Sequence, residues 1–321
     1  MNKRPPKIAI LILNWNGKKD TLECLSSIEK IDYPNFQPII VDNGSTDDSV
    51  TAIRAAYPHI PILETKENLG FAGGNNVGIE WCLRKKAEWI FLLNNDTIVA
   101  PDILKAFLES AKEQPKAKIL GAKIFRYSDP NRIDHLGGFW NPKIAEFESN
   151  ASGEIDHIYL TDMQKVDYVC GAALFMHRSV PETIGLLEPR YFLFWEESDY
   201  CVRANRAGLE VWTAPHAKIW HKVSASFTGG KPHMHYFWWR SRLLFLSRNC
   251  TPQEKKALYR NIIIPELWKS FRHLTLRSIQ QLLSPDPNRQ RKLRRYQAGC
   301  SGAIDYFRGK FGNCPSWLLK K

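Results

Sequence analysis

Two amides and a carboxylate follow a buried strand at residues 94–96, where they could bind a metal ion and a phosphate. The apolar run Trp89–Leu93 ends abruptly in Asn94-Asn95-Asp96. A charge at the end of a buried strand costs several kcal/mol unless a partner compensates it, and no Lys or Arg lies within the next few residues. Because ligands of open α/β sheets bind at the carboxyl ends of strands, we predict that Asp96 holds a divalent metal ion and that the ion holds a diphosphate. The alternative is a helix N-cap, with Asp96 or Thr97 capping a helix over residues 101–113.

Two earlier strands end in the same kind of side chain. The apolar run Lys7–Leu13 is followed by Asn14 and Asn16, and the run Pro38–Val41 is followed by Asp42-Asn43. A single turn rich in Asn and Asp is ordinary. The carboxyl ends of parallel strands share one edge of a sheet, however, so three such ends together predict a nucleotide-binding cleft.

A glycine-rich segment, Asn68–Asn76, lies between the second and third of these strand ends. It matches neither the dinucleotide fingerprint after a first strand nor the P-loop pattern, so the sequence disfavours both of those nucleotide-binding classes. The segment is either a ligand-binding loop or only the flexible start of a helix that runs to Lys86.

A second cluster of carboxylates follows an aromatic run at the start of a predicted helix. Trp195 precedes Glu196, Glu197 and Asp199. Acidic residues in a first turn suit the helix dipole, and Asp199 has an ion-pair partner at i+4, Arg203. Glu197 has no basic residue three or four positions later, so we predict that Glu197 is a general base.

His221 stands at the end of another predicted strand, Ala217–Trp220, which we expect to pair with Val211–Thr213. A lone His is more often structural than a ligand. Its position at a strand end nevertheless favours a role as a second metal ligand beside Asp96.

The alternation of apolar runs and helical periodicity up to residue 93 predicts an α/β fold with a mostly parallel, doubly wound sheet. Ser45 or Thr46 is the expected N-cap of the helix that ends at Tyr57. Residues 132–147 suggest a hairpin or flap. Helices are predicted over 253–283 and 289–308, separated by the breaker Ser284–Pro287.

The charge is distributed very unevenly. The chain carries a net charge of +12, and residues 231–321 hold 19 Lys and Arg but only 4 Asp and Glu. This asymmetry points to an anionic partner: a membrane surface, nucleic acid or a phosphorylated substrate. Aromatic and basic helices in this region can lie on an anionic membrane, or they can pack on the main domain with a solvated basic face.

Cysteine usage and hydropathy limit the compartment. The 7 cysteines are scattered without a C-x-x-C motif, which fits a reducing cytosol better than a disulfide framework or a zinc site. The run Ile8–Leu13 is too short for a signal peptide, and no stretch of about 18 apolar residues exists. We expect a cytoplasmic protein, with peripheral attachment to the inner face of the plasma membrane as a further option.

Taken together, these motifs resemble the family 2 glycosyltransferases, and most of all their bacterial rhamnosyltransferase-like branch. The resemblance covers about residues 7–225 in correct order and spacing. The motifs that carry it are Leu13–Asn16, Val41–Asp47, Asn68–Asn76, Leu93–Asp96, Trp195–Asp199 and Trp220–Lys222.

The resemblance implies a GT-A fold and an inverting, metal-dependent hexosyltransferase. Residues 1–228 would form the nucleotide-sugar glycosyltransferase domain and residues 229–321 a basic, aromatic-rich helical region. The cofactor would be Mg²⁺ or Mn²⁺. The donor would be a nucleotide-diphosphate sugar, with rhamnose as the candidate sugar. The acceptor would be a glycan or lipid-linked glycan in cell-surface polysaccharide synthesis, and no nucleic acid partner is expected.

The resemblance also assigns site residues. Asp96 occupies the last position of the family's D-x-D metal motif, with Asn94 in place of the first carboxylate, and His221 is the further ligand. Glu197 stands where the family has its catalytic Asp, and Glu196 is the reserve candidate. The predicted nucleotide-sugar-binding residues are Asn14, Asn16, Asp42, Asn43, Asn68, Gly70, Gly73, Asn75, Asn94 and Asn95, and the predicted acceptor-side residues are Gly171 and Trp195.

Two alternatives remain open at this point. A sugar nucleotidyltransferase would share the sheet and the metal, but should have a Gly-rich phosphate loop with Lys or Arg after the first strand, and Asn14–Gly17 offers none. A nucleic-acid-binding protein would use the basic C-terminal region and its aromatic residues.

Overall fold

The computed structural model describes residues 4–156, 160–222 and 231–319. The chain divides into two compact units. The first consists of residues 1–139, 147–188 and 197–224, and the second of residues 140–146, 189–196 and 225–321. The predicted functional boundary between residues 228 and 229 stays a prediction. Two short segments from earlier in the chain join the C-terminal region in the second unit.

The first unit begins with a regular alternation of strands and helices, as predicted. Its elements are β1 (Ile8–Asn14), α1 (Lys18–Ile28), β2 (Phe36–Asp42), α2 (Ser49–Ala56), β3 (Ile62–Glu64), α3 (Gly70–Arg84) and β4 (Trp89–Asn94). These four strands are parallel and lie in the order β3-β2-β1-β4. The ends of β1, β2 and β4 therefore meet at one edge of the sheet, which is the arrangement that the polar strand ends predicted.

The chain from residue 97 to residue 221 extends the sheet in mixed directions. The elements are β5 (Thr97–Val99), α4 (Ile103–Glu113), β6 (Ala117–Arg126), β7 (Asp129–His135), β8 (Gly138–Asn141), β9 (Glu146–Ser149), β10 (Ala173–His177), α5 (Ser179–Ile184), α6 (Glu196–Arg206) and β11 (Glu210–His221). The sheet order is β3-β2-β1-β4-β10-β6-β11-β5, with β7 on β6 and a separate β8–β9 hairpin. Because β10 runs antiparallel between β4 and β6, the sheet is mixed rather than doubly wound throughout.

Three local predictions were wrong. Residues 210–221 form one strand with a bulge between Ala214 and Lys218, because Pro215 interrupts the ladder without ending it. Thr97 lies in β5, and α4 begins only after Asp102, so neither Asp96 nor Thr97 is a helix cap. Helix α2 begins after Asp48, and neither Ser45 nor Thr46 caps it.

Glycines let helix α3 approach the sheet closely. A Cβ at Gly74 would lie 2.5 Å from Leu13 Cδ1, and one at Gly78 would lie 2.2 Å from Leu11 Cδ1. Both distances are shorter than any van der Waals contact, so a larger residue at either position would displace the leucine side chain it meets. The glycine-rich segment thus places α3 directly against β1.

The second unit is helical. Its elements are α7 (Pro232–Asn249), α8 (Pro252–Leu258), a π-helical turn (Tyr259–Ile263), α9 (Ile264–Leu283), α10 (Pro287–Phe307) and a 3₁₀ turn (Ser316–Leu318). The helices and the breaker predicted for residues 253–308 are confirmed, with Thr251 forming a capping box on α8 and Asp286 capping α10. Within the three described ranges, no helix combines the length and the hydropathy needed to cross a bilayer.

Helix α7 of the second unit buries two arginines, Arg240 and Arg242. Arg242 is 1% exposed and donates to the carbonyls of Ala145 and Ile144 at 3.1 and 2.7 Å. It also pairs with Glu266 at 2.6 Å. These bonds hold the short segment 140–146 against α7, so the aromatic and basic sequence of α7 is a packed core of this unit.

Candidate active site

The ends of β1 and β2 are joined by a buried network of polar side chains. Asn14, which is fully buried, donates through Nδ2 to Asp42 Oδ2 at 2.7 Å and to Ser45 Oγ at 3.1 Å. The Ser45 backbone N–H donates to the other Asp42 oxygen at 2.9 Å. The carboxylate of Asp42 is thereby fixed at the sheet edge with its charge compensated by N–H donors rather than by a cation.

The network continues to the end of β4. Asn95 Nδ2 donates to Thr21 Oγ1 at 2.9 Å, and Thr21 in turn donates to Asn14 Oδ1 at 2.8 Å. A Cβ at Gly17 would lie 2.3 Å from Asn95 Nδ2, so the backbone at Gly17 packs directly on this amide. The structure therefore brings Asn14, Asp42 and Asn95 together, as predicted.

Asn16 stabilises a turn at the same edge of the sheet. It adopts a left-handed backbone with φ of 50°, and its Oδ1 accepts hydrogen bonds from the N–H groups of Thr46 and Asp47 at 2.7 and 3.2 Å. Asn tolerates this conformation better than most residues. Asn16 thus fixes the turn after β2 while remaining exposed to solvent.

Asn43 ties the end of β2 to the start of α3. Its Nδ2 donates to Asn68 Oδ1 at 3.1 Å and to the Gly70 carbonyl at 3.0 Å, and its Oδ1 accepts from the Leu69 N–H at 3.0 Å. Gly70, with φ of 75°, makes the turn into the helix. Asn43, Asn68 and Gly70 therefore form one constellation, next to the Asn14 network.

Two other members of the predicted nucleotide-sugar set are engaged within α3. Asn75 is 2% exposed and donates to the Phe71 carbonyl at 2.9 Å. A Cβ at Gly73 would lie 2.8 Å from Leu69 Cβ. The structure shows a packing role for both residues, and their contact with a nucleotide sugar stays a prediction.

Asp96 and His221 face each other at the same edge. His221 Nε2 lies 3.1 Å from Asp96 Oδ1, and both residues are largely buried, at 8% and 7% exposure. The pairing of β5 with β11 brings them together, since His221 pairs with Thr97. Two adjacent ligands at about 2.1 Å from an octahedral Mg²⁺ or Mn²⁺ ion are about 3 Å apart, so this pair fits a divalent metal ion.

The protein supplies few ligands at this place. In the described part of the chain, no group of three or more His, Cys, Asp and Glu side chains could hold a metal ion. Asn94 stands where a second carboxylate would strengthen the site, and its backbone carbonyl accepts from Thr97 Oγ1 at 2.7 Å. An ion held by Asp96 and His221 would therefore need oxygen ligands from a bound diphosphate and water.

Lys222 has a structural role beside His221 that the sequence did not predict. Its Nζ pairs with Asp20 at 2.7 Å and Glu23 at 2.6 Å on α1, and its backbone N–H donates to the Asp96 carbonyl at 3.0 Å. Lys222 thus clamps the end of β11, which carries His221, to α1. The only sequence signal was the i, i+3 spacing of the two carboxylates, which is too common to identify a partner 199 residues away.

Glu197 lies against Gly171. The N–H groups of Glu197 itself, Gly171 and Ser198 donate to its carboxylate, but burial outweighs them and raises the pKa of Glu197. Its Oε2 is buried and has no hydrogen-bond partner among the described residues. A Cβ at Gly171 would lie in ordinary contact with Glu197 Cβ, at 3.6 Å, and tightly against Phe71 Cζ, at 3.2 Å, so Gly171 packs between these two side chains.

The β10 pairing connects this carboxylate to the metal pair. The Asn94 N–H donates to the Ala172 carbonyl at 3.0 Å, which places the end of β4 beside Gly171 and Ala172. Asp96 follows Asn94 by two residues, and Gly171 contacts Glu197. The predicted metal ligands and the predicted base therefore share one edge of the first unit.

Trp195, predicted on the acceptor side, belongs to an aromatic cluster in the second unit. Its ring lies 5.3 Å from Trp238, 5.1 Å from Phe245 and 6.5 Å from Trp140. Phe194 and Trp195 both have positive φ, 67° and 71°, which costs roughly 1–3 kcal/mol each for residues other than glycine. Glu196, the reserve candidate, is buried and begins α6 directly after this strained pair.

Comparisons with known proteins identify rhamnosyltransferases among the relatives of this chain. One relative, an N-acetylglucosaminyl-diphospho-decaprenol L-rhamnosyltransferase of Mycobacterium tuberculosis, is 26% identical over 228 residues, covering 61% of this chain and 69% of that protein. The dTDP-rhamnosyl transferase RfbF of Shigella flexneri is 24% identical over 256 residues, covering 76% and 81%.

Two solved structures show what fold this chain resembles. The Pyrobaculum calidifontis mannosyltransferase PcManGT, solved with GDP-Man and Mn²⁺, has a TM-score of 0.59 at 14% identity and covers 96% of this chain and 88% of its own. Staphylococcus aureus TarS has a TM-score of 0.53 at 14% identity, and the match covers 79% of this chain but only 42% of TarS.

The profile of the family described as "Glycosyl transferase family 2" matches residues 9–184. The predicted resemblance and the predicted GT-A fold are confirmed, and neither the nucleotidyltransferase nor the nucleic-acid-binding alternative is favoured. Because the family match covers more than half of this chain, the chain belongs to glycosyltransferase family 2.

Proposed function

We propose that this glycosyltransferase moves a sugar, with inversion at the anomeric carbon, from a nucleotide diphosphate to a glycan or lipid-linked glycan acceptor. The observation that carries the proposal is Glu197, a buried carboxyl with a raised pKa at the same sheet edge as the Asp96–His221 pair. Among the described residues we assign one proton acceptor, Glu197, and one cation site, Asp96 with His221, and we assign no carboxylate as a nucleophile. One base without a nucleophile of the protein supports a single displacement, which inverts the anomeric configuration.

The donor side comprises the two asparagine networks. Asp42, held by Asn14 and Ser45, is proposed to contact the nucleotide base, and the Asn43–Asn68–Gly70 constellation to line the nucleoside. The names of the Mycobacterium tuberculosis and Shigella flexneri relatives support rhamnose as the sugar, and that of the second supports dTDP as the carrier.

Asp96 and His221 are proposed to hold Mg²⁺ or Mn²⁺. The ion would offset the negative charge that develops on the diphosphate leaving group, an effect worth several kcal/mol. With Asn94 in the D-x-D motif, the protein contributes fewer charges than the usual pair of carboxylates. We therefore expect the ion to bind well only together with the donor diphosphate.

Glu197 is proposed to take the proton of the attacking acceptor hydroxyl. The acceptor oxygen forms a bond to the anomeric carbon, the bond from that carbon to the diphosphate oxygen breaks, and the hydroxyl proton moves to Glu197. The raised pKa of Glu197 makes it a stronger proton acceptor than an ordinary carboxylate, and its N–H donors fix its orientation. Gly171 and Trp195 remain the proposed acceptor-side residues.

The working compartment proposed for this enzyme is the cytoplasm, where nucleotide sugars are made, at the inner face of the plasma membrane, where a lipid-linked acceptor lies. Cell-surface polysaccharide synthesis is the process that we propose for this transfer.

The test is a panel of nucleotide sugars scored by thermal shift with and without Mn²⁺. We expect dTDP-rhamnose with Mn²⁺ to stabilise the protein more than UDP- or GDP-sugars, because a ligand that binds only the folded state raises its stability. NMR of the transfer product should show the anomeric configuration opposite to that of the donor. Retention of configuration would overturn the single-displacement mechanism, and an unshifted melting temperature with every nucleotide sugar would overturn the donor assignment.

A further inference from the structure

Helix α9 turns its apolar side chains away from the protein. Trp268 is 62% exposed, Phe271 is 55% exposed and Leu282 is 84% exposed. The other exposed apolar side chains of the helix are Ile264, Leu276, Ile279 and Leu283. No residue of α9 is buried, although the helix is 20 residues long.

The exposed side chains form one continuous stripe. Ile264, Trp268, Phe271, Thr275, Ile279 and Leu282 follow each other at steps of three or four residues, which keeps them on one face of a helix. At 1.5 Å per residue the stripe is about 27 Å long. Trp268 and Phe271 stack on each other within it, with ring centroids 6.3 Å apart.

The opposite, more polar face of α9 packs on α10. His273 stacks on Tyr296 at 5.3 Å, and the Arg277 guanidinium lies 5.7 Å from the same ring. An amphipathic helix in a soluble protein normally buries its apolar face and exposes its polar one. In α9 this arrangement is reversed, so the apolar stripe is available to a partner.

The charges beside the stripe have one sign. Lys269 and Arg272 are exposed on the same side of the helix. The only carboxylate of α9, Glu266, is turned towards Arg242, 2.6 Å away. The whole of residues 231–321 has 19 basic and 4 acidic residues.

We propose that the exposed face of α9 lies on an anionic lipid bilayer, with the stripe inserted at the level of the headgroups and Lys269 and Arg272 on lipid phosphates. Aromatic and branched apolar residues flanked by basic ones are the composition that such a surface binds. A second copy is a poorer occupant, because stripe-to-stripe packing would bring Lys269 and Arg272 of two chains towards each other. That this face brings the enzyme to a lipid-linked acceptor rests on the proposed function, whereas the attachment itself rests on α9.

The test uses the full chain and co-sedimentation with extruded vesicles of phosphatidylcholine alone or mixed with phosphatidylglycerol. We expect binding to the anionic vesicles, weak binding to the neutral ones, and loss of binding at high salt. Trp268→Ser/Phe271→Ser and Lys269→Glu/Arg272→Glu should each weaken binding about tenfold or more.

The matched control is Lys112→Glu/Lys116→Glu, which makes the same change in net charge at two exposed lysines of the first unit. Its binding should stay within about twofold of the wild type, since the residues lie outside α9. Equal loss in this control would overturn the assignment to α9, because the effect would then follow net charge alone. So would unchanged binding in both α9 variants.

Light scattering separates the bilayer from a second copy. A monomer whose α9 variants are also monomeric supports the proposal, whereas a wild-type dimer that Trp268→Ser/Phe271→Ser dissociates would overturn it. The shift of the melting temperature by dTDP-rhamnose and Mn²⁺ should be unchanged in the α9 variants. If no nucleotide sugar shifts the wild type but anionic vesicles still bind, the proposed function fails and the α9 proposal stands.

Discussion

Two carboxylates at the same sheet edge have opposite surroundings. Asp96 faces an imidazole nitrogen 3.1 Å away, and the backbone beside it is clamped by Lys222. Glu197 is surrounded by buried backbone and the aromatic ring of Phe71, which lies against its neighbour Gly171, and its pKa is raised by burial. In the proposed function, Asp96 would hold a cation and Glu197 would accept a proton. Two residues with the same functional group would then serve different parts of one reaction because their surroundings differ.

The comparison also predicts that the two carboxylates differ in how substitutions affect the reaction. A proposed metal site without the first carboxylate of its motif could still work, because a diphosphate would bring its own oxygens to the ion. The base end has no such substitute, since the proton acceptor must come from the protein. We therefore expect changes at Glu197 to affect turnover and changes at Asp96 to affect donor binding.

The largest effect is expected for Glu197→Gln. The amide keeps the size of the side chain but cannot accept the proton, so kcat should fall about 10²–10⁴-fold with an unchanged KM for the donor. Steady-state kinetics with the donor identified by thermal shift give both constants. A kcat close to that of the wild type would refute the base assignment.

Glu196→Gln is the matched control for this prediction. It changes the adjacent carboxyl in the same way, and we expect a loss in kcat below about tenfold, because Glu196 is only the reserve candidate. If Glu196→Gln shows the larger loss, the two roles are exchanged and the contrast with Asp96 applies to Glu196 instead.

Asp96→Ala should act on the metal end. Removing the carboxylate takes away one of two protein ligands, and we expect donor affinity in the presence of Mn²⁺ to fall roughly a hundredfold or more. Calorimetry should show little change in donor affinity when Mn²⁺ is absent. If the variant and the wild type have the same donor affinity in Mn²⁺, Asp96 is not a ligand of the ion.

Lys222→Met should have a smaller effect at the same end. The substitution keeps most of the apolar stem of the side chain but breaks the pairs with Asp20 and Glu23. If these pairs contribute about 1 kcal/mol to the position of His221, their loss should weaken Mn²⁺-dependent donor binding several-fold. The pH profile of kcat should not move, because Lys222 acts through His221 and not through Glu197. Lys105→Met, which breaks the exposed pair with Asp32, is the control and should leave donor binding unchanged.

Much of this site could be predicted from the sequence, because its residues follow strands with strong patterns. Asn14, Asp42 and Asp96 end buried apolar runs, and a parallel sheet places such ends together. The bulge at Pro215 and the clamp at Lys222 could not be predicted in the same way. The first depends on tertiary pairing that overrides a local breaker, and the second joins residues about 200 positions apart.

The second unit shows a different limit. The periodicity of residues 264–282 predicts an amphipathic helix, but it does not say which face packs. The contacts and the exposure of the side chains show which face packs. The polar face with His273 and Arg277 contacts α10, and the face with Trp268 is exposed. Sequence pattern alone left membrane attachment and packing as equal alternatives, and the structure distinguishes the packed face of α9 from the open one.

The smallest effect, and the most direct check of the contrast between the carboxylates, is the pH dependence of stability. Because burial raises the pKa of Glu197, its ionised form disfavours the folded state. The stabilising contribution of the neutral carboxyl is fully present below the unfolded-state pKa and is lost as pH rises through the folded-state pKa. Glu197→Gln, which cannot ionise, should therefore melt higher than the wild type at pH 8, and the difference should shrink towards pH 4.

Glu210→Gln provides a control of opposite sign in the same unit. Hydrogen bonds from Lys165 and Trp212 lower the pKa of Glu210, so its contribution is present above the unfolded-state pKa and is lost as pH falls. This variant should melt slightly lower than the wild type at pH 7 and approach it at acid pH. Thermal melts of the three proteins from pH 4 to pH 8 measure both slopes. If the melting-temperature difference from the wild type changes with pH in the same direction for both variants, the pKa of Glu197 is not raised by burial. Glu196 would then become the candidate base.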